Sequence, residues 1–206
     1  MSENLPIYSD MLRRGPHPFS DLEGLASVNL APCWERFDRL FDLGDGARGV
    51  ALARRALNAP TKELLQTAHS VLFEGRAGAG SLRQTLTGAA YRGQDCPEPE
   101  FIDRSLDNFV CWLTAPSFIE IHPVERAALA LTRLIDIWPF EFGNRTAAVL
   151  FANYFLFEAH LPPFFLLGEQ LSEFDQVLQG AIAMQTEPLV KAMYLSMRRE
   201  LALVGK

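Results

Sequence analysis

Two consecutive segments, about 123–137 and 145–160, are apolar nearly all the way round the helical wheel. A helix on a protein surface keeps a polar face, so helices without one have to be wrapped by other elements. These two are expected to form the central pair of the fold. Pro123 falls at a first-turn position, where its missing N–H costs nothing.

The rest of the chain supplies the wrapping. Trp34, Phe37, Leu40 and Phe41 recur every three or four residues from Pro32, with charged residues between them, until Gly44 and Gly46 end the pattern. A second helix is predicted over about 48–57, closed by Asn58-Ala59-Pro60. A third opens at Pro60-Thr61 with a stripe of Leu64, Leu65, Ala68, Val71 and Leu72. Further helices are predicted over about 99–114, 170–184 and 187–203. Between Glu74 and Pro99 the glycine-rich run Gly75-Arg76-Ala77-Gly78-Ala79-Gly80 reads as a connector, and Leu82 to Leu86 as a short strand or hairpin. The fold class is therefore all-α, with one small β element. Three parts are expected: an irregular N-terminal arm over 1–31, N-terminal helices packed on the core over 32–59, and a core domain over 60–206.

Composition limits the function classes. Hydrophobic residues make up 49% of the 206 and charged ones 21%, which suits a large core and excludes disorder. A formal charge of −6 argues against a nucleic-acid surface. Cys33, Cys96 and Cys111 show no paired spacing, so neither a disulfide framework nor a zinc site is indicated. With no signal core and no span of about eighteen apolar residues, the chain is expected to be cytoplasmic and independent of membranes. Its oligomeric state is left open.

The chemistry is concentrated in the turn Trp138-Pro139-Phe140-Glu141-Phe142-Gly143-Asn144-Arg145-Thr146 between the two central helices. Gly143-Asn144 makes a tight turn, Asn144 is a plausible N-cap, and Arg145 and Thr146 fall in the first helical turn. Free N–H groups beside an arginine suit an anion. The plainer reading is a helix corner with Trp138 and Phe140 as core plugs. His122 reads as a capping or surface histidine, and His69 and His160 as hydrogen-bonded structural ones.

The turn resembles the signature of the Fic (Fido) family, His-Pro-Phe-x-Asp/Glu-Gly-Asn-Gly-Arg-x-x-Arg, whose members mostly transfer AMP from ATP to a protein hydroxyl. Other segments are similar in the right order: Ser70-Val71-Leu72-Phe73-Glu74-Gly75 to the inhibitory pattern, and Ser81-Leu82-Arg83 with Tyr91 to the target-docking flap. His122 to Ala128 is similar to the start of the helix leading into the motif. Leu161-Pro162-Pro163 is similar to the end of the motif helix, and Leu178 to Ala181 and Glu187 to Val190 to the closing helices. Coverage runs from about residue 60 to 204. The resemblance implies a Fic-like helical bundle with a short β-hairpin flap carrying Leu82 and Arg83. It also implies ATP with Mg²⁺ as ligands, phosphate contacts at Gly143, Asn144, Arg145 and Thr146, and a protein target.

The departures bear on catalysis. Trp138 stands where the family has its general base, and an indole N–H cannot accept a proton. The turn is one residue short. One gap placement puts Phe142 at the metal carboxylate, another puts Glu141 there. Arg145 matches the first motif arginine and Ala148 replaces the second. Glu74 is then either a solvated helix-end carboxylate or a partner of Arg145. The leading expectation is a Fic-fold protein without conventional AMP transfer that acts by binding a nucleotide or a protein. The alternatives are an active nucleotidyl or phosphoryl transferase with remodelled chemistry, or an unrelated helical interaction domain.

Overall fold

The computed structural model describes residues 28–40, 60–86, 96–165 and 171–204. The expected arm, apart from residues 28–31, and the expected helix over 48–57 lie outside the described residues. Among the described residues the chain is helical throughout: α1 (Ala31–Leu40), α2 (Lys62–Leu72), α3 (Pro99–Leu113), α4 (Pro116–Ile119), α5 (Pro123–Ile137), α6 (Asn144–Glu158), α7 (Leu171–Ile182) and α8 (Glu187–Val204). The one-turn α4 went unread in the sequence.

Local chemistry sets the helix starts. Thr61 caps α2, its hydroxyl accepting the Leu64 N–H at 3.1 Å. His122 caps α5 through Nδ1, which accepts the Val124 N–H at 3.3 Å, with Pro123 following at the first turn. The capping role expected of His122 is thus observed.

α5 and α6 pack against each other more extensively than any other pair, and α2, α3, α7 and α8 surround them. α6 is buried at every position from Ala147 to Leu156, so it is the axis of the fold. α5 differs from expectation in keeping a polar side with Arg133 and Asp136, which pair with each other at 2.6 Å. The core joins Leu106, Phe109 and Phe118 to Leu131, Leu134, Phe151, Phe155, Leu178 and Met193. Burial of this kind supplies the main drive for folding, at about 25 cal/mol per Å² of apolar surface removed from water. Asn153, buried inside α6, accepts the Phe164 N–H and donates to the Phe164 and Val149 carbonyls, which holds the Leu161-Pro162-Pro163 exit against the helix.

The β-leaning piece forms no strand among the described residues. Leu82 makes one antiparallel bridge, to Phe140 in the central turn. The backbone of 82–85 finds its partners there instead of in a neighbouring hairpin arm. No described helix is long and apolar enough to cross a membrane.

α1 lies on α8 and adds a second, smaller apolar cluster in which Trp34 and Phe37 meet Leu150 and Phe165. Trp34 meets Phe157 edge-on at 5.0 Å. In this helix Asp38 is 1% exposed, and neither of its carboxylate oxygens has a hydrogen-bond partner. Burial, helped by Glu35, raises its pKa from 3.8 to about 6. The sign follows: the group favours folding below pH 3.8, and that contribution is lost as pH rises through about 6. Ionised Asp38 then costs up to about 3 kcal/mol. Asp38→Asn is expected to raise the thermal midpoint at pH 8, with the gain shrinking toward zero at pH 4. A gain independent of pH across that range would contradict the assignment.

Candidate functional site

The turn between α5 and α6 is built from two left-handed residues and one folded-back amide. Trp138 caps α5 at φ 49°, a conformation costly for a side chain of its size, and Gly143 caps α6 at φ 67°. Gly143 therefore takes the N-cap place expected for Asn144, which is the first residue of α6. The Asn144 amide turns back: Oδ1 accepts the Phe140 N–H at 2.8 Å and Nδ2 donates to the Phe140 carbonyl at 2.7 Å. Asn144 is 3% exposed, so this side chain closes the turn and does not face a ligand. Phe140 is fully buried. Trp138 is half-buried and packs against the core, in line with the plug reading for both rings.

Residues 82–85 are fastened to this turn. The Arg83 N–H donates to the Pro139 carbonyl at 2.9 Å. The Arg83 guanidinium is 1% exposed and donates to the carbonyls of Trp138 at 2.7 Å, Thr85 at 3.1 Å, and Pro97. Expected to face a target from the flap, Arg83 instead staples three backbone segments from inside. Leu82 is half-buried and packs on the core. Glu141 is exposed, but its carboxylate accepts the Gln84 N–H at 2.8 Å, the Thr85 N–H at 3.1 Å and the Thr85 hydroxyl at 2.7 Å. The Thr85 hydroxyl, followed by the Gln84 N–H, holds its pKa below the usual value.

The opposite wall is the end of α2. His69 is fully buried and stacks on Phe140 with ring centroids 3.8 Å apart. Its Nε2 donates to the Phe142 carbonyl at 2.9 Å, and its Nδ1 accepts the Gly80 N–H at 2.9 Å. A carbonyl can only accept and an amide can only donate, so these partners fix the neutral Nε2–H form. Burial pushes the pKa down, and Arg76 adds to that. The structural role expected of His69 is observed. His160, by contrast, is exposed, at a left-handed turn after α6.

Phe73, just past α2, lies against Gly143: a Cβ built there would sit inside contact distance of ring atoms Cε2 and Cζ. Phe73 also meets Phe142 edge-on at 5.2 Å, and the Arg76 guanidinium lies 3.6 Å from the centre of the Phe142 ring. The segment resembling the inhibitory pattern is therefore in contact with the turn through Phe73. Ser70, Glu74 and Gly75 are exposed, Gly75 at φ 83°.

Arg145 pairs with Asp175 of α7, Nη2 to Oδ1 at 2.5 Å, with the side chains 38% and 13% exposed. Glu74 is exposed beyond the end of α2, and Arg145 is paired with Asp175. Thr146 is half-buried in the first turn of α6, and Ala148 is 1% exposed within the core, where no phosphate can reach it.

These positions define what the site can do. The N–H groups of Asn144, Arg145 and Thr146 precede the first α6 hydrogen bond, from Ala147 to Gly143, and so face the positive end of the helix. With Arg145 they suit a phosphate. Magnesium does not fit: the Glu141 carboxylate is committed to residues 84 and 85, and Phe142 is a hydrocarbon ring. Among the described residues no group of three acidic, His or Cys side chains could hold a metal ion. The tryptophan accepts no proton, and both His69 nitrogens are engaged. Phe73, Arg76 and Asp175 were missed in the sequence. Phe73 had one signal, its place beside Glu74, and Asp175 had none.

A helical bundle whose two central helices meet at this turn is the architecture of Fic proteins, and residues 59–156 match the Fic/DOC family. The chain belongs to that family. It is 33% identical to protein adenylyltransferase fic-1 of Caenorhabditis elegans over 114 residues, covering 55% of this chain and 22% of that protein. The chain thus spans about a fifth of that relative's length. A solved Fic-1 structure from C. elegans superposes with a TM-score of 0.73 at 19% identity, over 97% of this chain and 74% of that one. The N-terminal Fic domain of a putative cell filamentation protein from Bartonella quintana, solved with bound ADP, gives 0.53 at 18% identity over 83% and 87%. These two likenesses concern the fold. Family membership removes the reading of an unrelated helical domain.

Gly143→Ala should lower stability by about 2–3 kcal/mol, from the left-handed backbone together with the Phe73 ring. In a Phe73→Ala background the same change should cost only the backbone part, about 1 kcal/mol. Equal costs in both backgrounds, measured by urea unfolding, would rule out the contact.

Proposed function

We propose that this chain binds the phosphate end of a nucleotide at the α5–α6 turn and does not carry out conventional AMP transfer. The observation that carries the reading is the side chain at the base position: Trp138 offers a donor where the transfer needs an acceptor. His69, the histidine beside the turn among the described residues, does not replace it, since its Nε2–H is held by the Phe142 carbonyl and its Nδ1 accepts the Gly80 N–H. The metal step is unsupported for the same kind of reason, with Glu141 held by Thr85 and Gln84 and Phe142 beside Phe73.

Phosphate binding is supported by Arg145 in the first turn of α6, and by the family's nucleotide chemistry: similar proteins are named adenylyltransferases and one solved Fic domain holds ADP. We place this function in a core of residues 60–206, with 32–59 as helices against it and 1–31 as an arm. A protein partner is the natural counterpart, as the relatives are protein adenylyltransferases. Leu86, 74% exposed beside the fastened 82–85 segment, is where we expect such a partner to approach.

Calorimetric titration with ATP should give weak binding, about millimolar, unchanged when EDTA replaces Mg²⁺. Arg145→Ala should abolish it. Intact-mass measurement of the chain and of lysate proteins after incubation with ATP should show no gain of AMP. A magnesium-dependent AMP adduct would overturn the proposal.

A further inference from the structure

We infer that Asp175 is a tethered competitor for the nucleotide: its carboxylate holds Arg145 in the absence of ligand and has to be displaced for a phosphate to bind. The inference rests on the proposed nucleotide site and adds a regulator to it.

Arg145 is the one motif arginine this sequence retains, and it forms an ion pair with a different element, α7, reached thirty residues later. The separation of 2.5 Å is that of a charge-assisted hydrogen bond. The acid is 13% exposed, less than the 38% of its arginine, so solvent screens the carboxylate only in part. It therefore occupies ground that an incoming phosphate would need. Any anion contacting Arg145 must break this bond and then lie next to a like charge. Both effects oppose binding, and both vanish when the carboxylate becomes an amide of the same shape.

A purely structural tie would behave in the opposite way. If Asp175 merely oriented Arg145 for the ligand, removing its charge would loosen the arginine and weaken binding. The sign of the change therefore separates the two roles.

The test is ATP titration at fixed ionic strength of the wild type, Asp175→Asn, Arg145→Ala and the double variant, each checked for folding by circular dichroism. Asp175→Ser replaces the Asn form if that one is unfolded. Asp175→Asn should bind ATP about three- to tenfold more tightly than the wild type, the range expected from losing one partly screened ion pair and one repulsion. In the Arg145→Ala background the substitution should change nothing. Unchanged or weaker binding by Asp175→Asn, with wild-type binding present and lost in Arg145→Ala, overturns this inference and leaves the nucleotide reading standing. An equal gain in the Arg145→Ala background also overturns it, since the effect would then be general charge. Absence of ATP binding in every variant overturns both.

Discussion

The Asn144 amide, bonded through both its atoms to the Phe140 backbone, is what the rest of the site depends on. It turns a connection between two buried helices into one rigid shape, with a left-handed residue on each side of it. A primary amide carries a donor and an acceptor side by side, so it can satisfy the N–H and the C=O of one residue together. Because Phe140 is held this way, its ring goes into the core and its neighbours are presented in fixed directions. The Leu82 bridge, the Glu141 carboxylate and the His69 imidazole all attach to a backbone that Asn144 has already set.

Around that fixed corner most of the side chains are engaged in packing. Phe73, Phe142 and the stacked His69–Phe140 pair make a mostly apolar wall, and Arg76 lies on a ring face. Low polarity keeps the imidazole neutral. The remaining acids are matched: Glu141 by two amides and a hydroxyl, Asp175 by Arg145. To an anion this corner offers one helix start and one arginine, and the rest of it is stabilised as core.

The helices were legible because their signals are local. The 3.6-residue repeat, Thr61 before α2 and Pro123 at the head of α5 placed those elements within a residue or two. The α5–α6 pair was readable from its lack of a polar face, although α5 keeps Arg133 and Asp136 outside. The N-cap was misread because Asn usually fills that role; here the tertiary demand of Phe140 took its side chain, and glycine took the cap. The pairing of residues 82–85 was hidden for a related reason: that segment meets a turn 55 or more residues away, which no local pattern announces. Arg83 looked like a surface cation because nothing nearby in sequence could show three carbonyls converging on it. The choice between Glu141 and Phe142 stayed open on the sequence, and the hydrogen bonds of Glu141 now account for its carboxylate.

His69 also says something about how such a chain assembles. One imidazole joins residue 69 to residue 142, across 73 positions, and to the turn at Gly80. Contacts of that span carry a large loop-closure entropy and form only once the intervening helices are in place. The α5–α6 corner is therefore complete only with α2 packed against it. A fragment beginning at α5 would contain nearly every residue of the family signature and still lack the piece that gives the corner its form.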